Sequence, residues 1–328
     1  MEECFDVIAD RVLAGDVHKD DSSGEYVLKD YVGKCTAKYG ALDARTLGGQ
    51  RVYGLFLQKL GRLEESKVLL VAARKGFQDS FGPRHAGTLV CMSDLAGLLQ
   101  DQGKLDEAKP LMVEVLETRR ATLGLKHHST LTSMNNLAQL LKAQGKLDEA
   151  KPLMVEALEA RRATLGPLHP DTLTCISNLA SLLQAQGKLD EAEPLELEEL
   201  EACRATLGPK HPDTLTSMNN LAALLQAQGK LDEAKPLMVE ALEALRNSLG
   251  PKHPHTLTSM SNLAVLLQAR GNLVEAEALA REALAGRRSV LGDAHTGTQY
   301  ARQHLLGLLM AQHKHREARE LNAAFPKN

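Results

Sequence analysis

Tryptophan is absent from the 328 residues, and Phe and Tyr number five each, so aromatics make up only 3% of the chain. None occurs between Phe81 and Tyr300. Proteins that hold single-stranded nucleic acid stack its bases on aromatic platforms, and here the platforms are missing. A positive excess is missing too: 39 Lys and Arg stand against 42 Asp and Glu, a formal charge of −3, which gives no general attraction to nucleic acid or anionic lipid. No run approaches the ~18 apolar residues of a membrane span. The start, MEECFDVIADRVLAG, puts acid rather than base before its short apolar stretch, unlike a secretory signal. Five cysteines (Cys4, Cys35, Cys91, Cys175, Cys203) form an odd set without C-x-x-C spacing, which argues against a disulfide framework or a zinc site. With no N-x-S/T sequon either, the expectation is a cytosolic chain with reduced thiols, no nucleic-acid partner and no membrane insertion. Phosphate-loop, dinucleotide, nucleophile-elbow and H-E-x-x-H signatures are also absent, so neither an enzyme nor a cofactor is expected.

What the chain has instead is a period. His85, His127, His169, His211, His253 and His295 stand 42 residues apart, and Thr88, Thr130, Thr172, Thr214, Thr256 and Thr298 follow them in register. One step back, Asp43 and Thr46 hold the same columns. Such a period marks a repeat architecture. It divides the chain into a degenerate helical cap over 1–42, six full units over 43–294 and a shortened capping unit over 295–328. The units starting at 127 and 211 agree at 34 of 42 positions, which points to recent duplication.

Each unit reads as a helical hairpin. Numbering from His211 as position 1, apolar residues fall at Leu215, Met218, Leu221, Ala222, Leu224 and Leu225, then again at Leu231, Ala234, Leu237, Met238, Ala241, Leu242 and Leu245, with helical spacing in both halves. Asp213 is the expected N-cap of the first helix, and Gly229 and Gly250 the expected stops. Asp232 and Glu233 near the start of the second helix and Arg246 near its end suit the helix dipole, as do the Arg pairs 119–120, 161–162 and 287–288. Proline at position 26 (Pro110, Pro152, Pro194, Pro236) either falls close to a first turn, where it is tolerated, or kinks the helix. At the start of the chain, residues 25–39 fill a second-helix slot, with Asp20 to Gly24 as its loop.

With the small residues Ala222, Ala234 and Ala241 at these spacings, and a unit reading HPDT…NNLA…QGK…EA…PL…AL…LG, the chain resembles the tetratricopeptide repeat family. It is similar to the 42-residue variant of kinesin light chains and nephrocystin-3-like proteins. The resemblance covers roughly residues 25–328 and departs at the usual aromatic positions, where Met218, Leu225 and Met238 stand. It implies an all-α superhelical solenoid of antiparallel helix pairs, because one hairpin cannot bury its apolar stripe alone.

On the first helix, positions 6, 9, 10, 13, 16 and 17 form a stripe beside the core. It carries Asn135, Asn136, Gln139 and Lys142; Ser177, Asn178, Ser181 and Gln184; Asn219, Asn220 and Gln226; and Ser261, Asn262 and Gln268. Asn is a mediocre helix former, yet it recurs at position 10 as Asn136, Asn178, Asn220 and Asn262, with Asp94 and His304 in that slot elsewhere. Carboxamides both donate to and accept from an extended backbone. Two other readings stay open: these groups bond the adjacent hairpin, or duplication copied them without a role. The resemblance implies peptide contact at the asparagines. The stripe's clear bases, Arg51, Lys142 and Arg302, are too dispersed to clamp a strongly acidic ligand.

The His column carries no metal site, since one His per hairpin cannot place three ligands within ~2.1 Å of a zinc. A loop or packing role is expected for it. In the unit at 169, Glu196 and Glu199 stand where other units have Met112 and Val115 or Met154 and Ala157. Carboxylates at core positions are costly, so a weak joint is expected over 194–204. The resemblance implies a non-catalytic scaffold that binds a protein or peptide partner, in the manner of a kinesin light chain-like cargo adaptor, with a motor or cytoskeletal complex among the partners. Residues 1–42 leave no room for the long coiled coil of that family. The alternative is a regulatory or assembly module that binds a folded partner through the convex surface.

Overall fold

The computed structural model describes residues 2–14 and 22–325. All the elements among them are helices. The chain forms two compact units, Met1–Thr164 and Leu165–Asn328. In the first, α1 (Glu2–Ala14) and α2 (Ser22–Tyr39) precede the hairpins α3 (Ala44–Lys59) with α4 (Leu63–Phe81), α5 (Ala86–Asp101) with α6 (Leu105–Leu123), and α7 (His128–Ala143) with α8 (Leu147–Leu165). In the second, α9 (Pro170–Ala185) pairs with α10 (Leu189–Leu207) and α11 (Pro212–Ala227) with α12 (Leu231–Leu249). There α13 (Pro254–Ala269) pairs with α14 (Leu273–Leu291), and α15 (Thr296–Ala311) with the short α16 (His315–Ala323). Within each unit the second helix of one hairpin packs on the first helix of the next, as in α4 on α5 and α10 on α11. Among the described residues no helix is long and apolar enough to cross a membrane.

The His and Thr columns build the junctions. His211 Nδ1 accepts from the Asp213 backbone N–H at 3.2 Å, so His211 is the N-cap of α11, Pro212 opens the helix, and Asp213 lies inside its first turn. The expected cap at Asp213 is therefore displaced by two residues, and the His column has a capping role. His85, His127, His169, His253 and His295 repeat the arrangement, and Asp43 does the same with a carboxylate. Thr214 Oγ1 donates to the Gly208 carbonyl at 2.8 Å, tying the new helix to the end of the previous one. Thr88, Thr172 and Thr256 make the same bond to Gly82, Gly166 and Gly250.

Glycines with positive φ recur every 21 residues from Gly40 to Gly292, one at each hairpin turn and one at each junction. At Gly229, φ is +80°, a conformation that L side chains rarely adopt, which is why the turn keeps glycine.

The apolar stripes close as the periodicity demands. Met218, Ala222, Leu224, Ala234, Met238 and Ala241 are all fully buried. The alanines let the helices approach closely, so a larger side chain there costs ~1–3 kcal/mol. In the second unit one core runs from Leu200 to Phe325. At the start of the chain, α1 and α2 close their apolar faces on α3 through Val12, Leu28 and Phe56, with Phe5 stacked on Tyr31.

Three local expectations change. Ser22 to Gly24 belong to α2 rather than to a loop, and Asp20 and Asp21 lie outside the described residues. The proline at position 26 is the sixth residue of its helix, past the first turn, yet α6, α8, α10 and α12 run through it unbroken. Each such proline withholds one N–H from the carbonyl four residues back. The first arginine of each Arg pair is not a helix-end counter-charge: Arg119 and Arg161 are buried, and Arg119 Nη1 bonds Ser133 Oγ at 2.7 Å and the Ser129 carbonyl at 3.2 Å.

Candidate functional site

The first-helix stripe lies at the edge of the core, half-buried for most of its length. In the first unit, α7 carries Asn135, Gln139 and Lys142 half-buried and Asn136 exposed. Burial holds the Lys142 ammonium below its ordinary value. Arg51 on α3 pairs with Asp94 on α5 through one guanidinium edge, Nε to Oδ2 and Nη2 to Oδ1. Burial raises the Asp94 carboxyl, and Arg51 acts against that rise. Two stripe positions are thus joined to each other, and Arg51 already has a carboxylate partner.

In the second unit the amides divide. Asn219 Nδ2 donates to the Leu215 carbonyl at 2.8 Å, and its Oδ1 accepts from Ser259 Oγ of the next first helix at 3.2 Å. Gln184 Nε2 donates to Glu196 Oε1 at 2.9 Å. His304 Nε2 lies 2.9 Å from Gln268 Oε1, again linking consecutive first helices. Gln226 and Asn262 are half-buried.

Asn178 and Asn220 are brought together. They line one cavity of about 450 Å³ that opens between α9 and α11 above α10, with Ser177, Glu199, Cys203 and Asp213. Its charged lining is acidic. Burial pushes the Glu199 carboxyl up to about 7; the Ser177 hydroxyl bond opposes the rise and Asp213 adds to it. The Cys203 thiol is pushed up to about 11 by burial and by the same two acids, so it is not a thiolate nucleophile at neutral pH. Asn135, Asn136, Gln139 and Lys142 belong to the other unit and take no part in this cavity. Sequence reasoning singled out Asn178, Asn220 and the anomaly at Glu199 but missed Cys203 and Asp213 as its neighbours. The signal for Cys203 was present: it is the one short residue in a column that otherwise holds Phe77, Arg119, Arg161, Leu245 and Arg287.

The family model for the tetratricopeptide repeat matches residues 44–121, 92–163, 130–204, 175–247 and 216–289. No curated protein sequence matches the chain. Among solved structures, a putative kinesin light chain from Podosopora anserina with nearly identical TPR-like repeats is 31% identical, with a TM-score of 0.57. The match covers 63% of this chain and 98% of that one. BtubC from P. vanneervenii is 22% identical over 71% of this chain and 92% of that one, with a TM-score of 0.60. The apo quorum sensor NprR from B. thuringiensis is 14% identical, with a TM-score of 0.59, and the match covers 98% of this chain and 97% of that one. The last two share the fold alone. The overlapping matches from residue 44 to 289, the paired helices and the likeness to kinesin light chain-like repeats together establish that this chain belongs to the tetratricopeptide repeat family.

Proposed function

We propose that the chain is a non-catalytic scaffold that holds an extended peptide segment of a protein partner along its first-helix stripe, in the manner of a kinesin light chain-like cargo adaptor working in the cytosol. At the coarser level, the tetratricopeptide fold is a protein-interaction scaffold and is generally non-catalytic. The observation that carries the finer reading is the cavity between α9 and α11, where Asn178 and Asn220 from consecutive first helices face one space of about 450 Å³. Amides spaced in this way can bond alternate peptide groups of an extended chain without demanding a side-chain sequence. In this reading residues 43–294 supply the binding surface, and 1–42 and 295–328 close its ends.

The test is a lysate pull-down with quantitative mass spectrometry. It compares the wild-type chain with a variant in which Asn136, Asn178, Asn220 and Asn262 are all changed to Ala, after circular dichroism shows that both fold. Selective loss of partners from the variant is the expected result. An unchanged partner list removes the asparagines from the binding surface.

A second reading, a folded partner on the second-helix face, is favoured by one feature. Shallow depressions of about 530 and 450 Å³ recur at equivalent places on α12 and α8, each beside the position-26 proline and a valine (Pro236 and Val239, Pro152 and Val155). A partner docked there is indifferent to the asparagine variant.

A further inference from the structure

The cavity at Glu199 lies at the one junction where position 35 is short: the other units hold Phe77, Arg119, Arg161, Leu245 and Arg287 there. At position 35 of the second helix, Arg119 reaches from α6 to the first turn of α7, where Nη1 bonds the Ser129 carbonyl and Ser133 Oγ. Arg287 repeats the reach from α14 to the Gly297 carbonyl of α15 at 2.9 Å. At the junction of α10 and α11 the residue in that column is Cys203, which is too short to cross. The acceptor corresponding to Ser133 is Ser217, which is 1% exposed and whose Oγ has no hydrogen-bond partner. An unmade bond at a buried hydroxyl costs ~1–3 kcal/mol, so this junction keeps a polar group that its own chain does not satisfy.

A second change in the same hairpin supplies charge. Position 31 is Ala73, Val115, Ala157, Ala241 and Ala283 in the other full units, and Glu199 in this one. Glu199 Oε2 is buried without a hydrogen-bond partner. Asp213 adds a second carboxylate to the lining, and no Lys, Arg or His lines the cavity. A short residue where Arg119 and Arg287 reach across their junctions, together with a carboxylate at position 31, leaves a space suited in size and charge to a guanidinium brought from outside. Arginine is the side chain that fits, because its planar fork can bond a carboxylate with two parallel N–H groups while still donating to a hydroxyl or carbonyl.

We propose that this cavity takes an arginine side chain of the bound peptide, which pairs with Glu199 and fills, at the junction of α10 and α11, the place that Arg119 and Arg287 fill in theirs. This rests on the peptide-binding reading above and adds the anchor residue to it. The peptide backbone crosses Asn178 and Asn220, and the arginine points down beside Cys203.

The test starts from a display library of short linear peptides panned on the full chain, followed by titration of synthetic copies of the enriched sequences. The expected result is an arginine at a fixed place in the enriched peptides, and a loss on the order of tenfold in affinity when it is replaced by neutral, isosteric citrulline. Two variants refill the site with residues that the neighbouring repeats use: Glu199→Ala removes the carboxylate, and Cys203→Arg fills the space. Glu199→Ala should abolish the preference for arginine over citrulline, and Cys203→Arg, which occupies the space itself, should weaken binding of the arginine peptide at least as much as the citrulline replacement does. Should Cys203→Arg fail to fold, Glu199→Ala and Glu199→Gln carry the comparison. Peptides that bind, lose affinity in Asn178→Ala/Asn220→Ala, and yet show no preference for arginine over citrulline overturn the anchor and leave the groove standing. Binding indifferent to the asparagine variant, or no enrichment at all, overturns both.

Discussion

Gln184 Nε2 donates to Glu196 Oε1 at 2.9 Å, which draws a stripe amide onto a carboxylate that is only 2% exposed. Glu196 occupies the place of Met112, Met154 and Met238, and its second oxygen has no partner. Burial, with the neighbouring Glu199 charge second, pushes its carboxyl from 4.5 up to about 7, against the Gln184 bond. A pH dependence of stability follows with a definite sign. Below 4.5 the carboxyl is protonated folded or unfolded and its burial is tolerated. Between 4.5 and about 7 the folded state holds a proton that the unfolded state has released, so stability falls as pH rises through this window. The full loss is on the order of 3 kcal/mol for this group. Urea unfolding at about pH 5 and about pH 8 should show it; Glu196→Met should reduce the difference, and Glu196→Met/Glu199→Ala should remove most of it, because Glu199 is raised to about 7 as well.

The same two carboxylates should loosen α10 locally. The helix runs unbroken from Leu189 to Leu207, so any weakness is one of stability rather than of geometry. Amide-exchange protection over 194–204 at mildly alkaline pH should be lower than in the equivalent turns of α12, where Met238 and Ala241 fill the positions. The double change Glu196→Met/Glu199→Ala should bring the two helices level. Equal protection in the wild-type chain would show that the paired burial is accommodated without opening.

Capping by histidine gives a cleaner test, since it involves one hydrogen bond. His211→Ala removes the acceptor for the Asp213 N–H and should destabilise the α11 junction by about 1 kcal/mol. His211→Asp should recover most of that loss, because Asp43 already performs the task in front of α3. Unfolding of the three chains, followed by circular dichroism, separates this from a loop role, in which neither change matters.

The period, the two helices per unit and the core positions were legible because each rests on spacing, and spacing survives in a bare sequence. Leu215, Met218 and Leu221 announce a buried stripe without any partner being known. What could not be read was the partner of each polar group. Asp213 is a better cap by type than His211, but the chain enters the helix two residues earlier, where Pro212 is already inside it. Arg51 reads as a free base until α3 is laid beside α5 and Asp94 meets it. The first arginine of each Arg pair reads as a counter-charge for a helix end, yet Arg119 spends its donors on the next hairpin. The cavity illustrates both halves: Glu199 is conspicuous as a break in an apolar column, whereas Cys203 matters only once the reach of Arg119 is known.

His313 is the one residue other than glycine with positive φ among the described residues, at +59°, and it stands 21 residues after Gly292 in the ladder of turn glycines. The turn between α15 and α16 therefore keeps the geometry of the other turns with a side chain that disfavours it. An L residue in this region pays ~1–2 kcal/mol in local sterics, while glycine pays ~0.5–1 kcal/mol in lost chain freedom. The steric cost is the larger, so His313→Gly should stabilise the last helix pair by up to about 1 kcal/mol. The edge contact that it removes, His313 on the His315 ring at 6.0 Å between centroids, is too loose to reverse that balance. His313→Asn should fall between the two, since Asn tolerates the left-handed region better than most side chains. Amide-exchange protection in α16 is the direct readout, because Ala318 and Phe325 tie that end into the core of the second unit. A variant in which α16 becomes less protected would show that the imidazole stabilises this turn by more than its backbone costs.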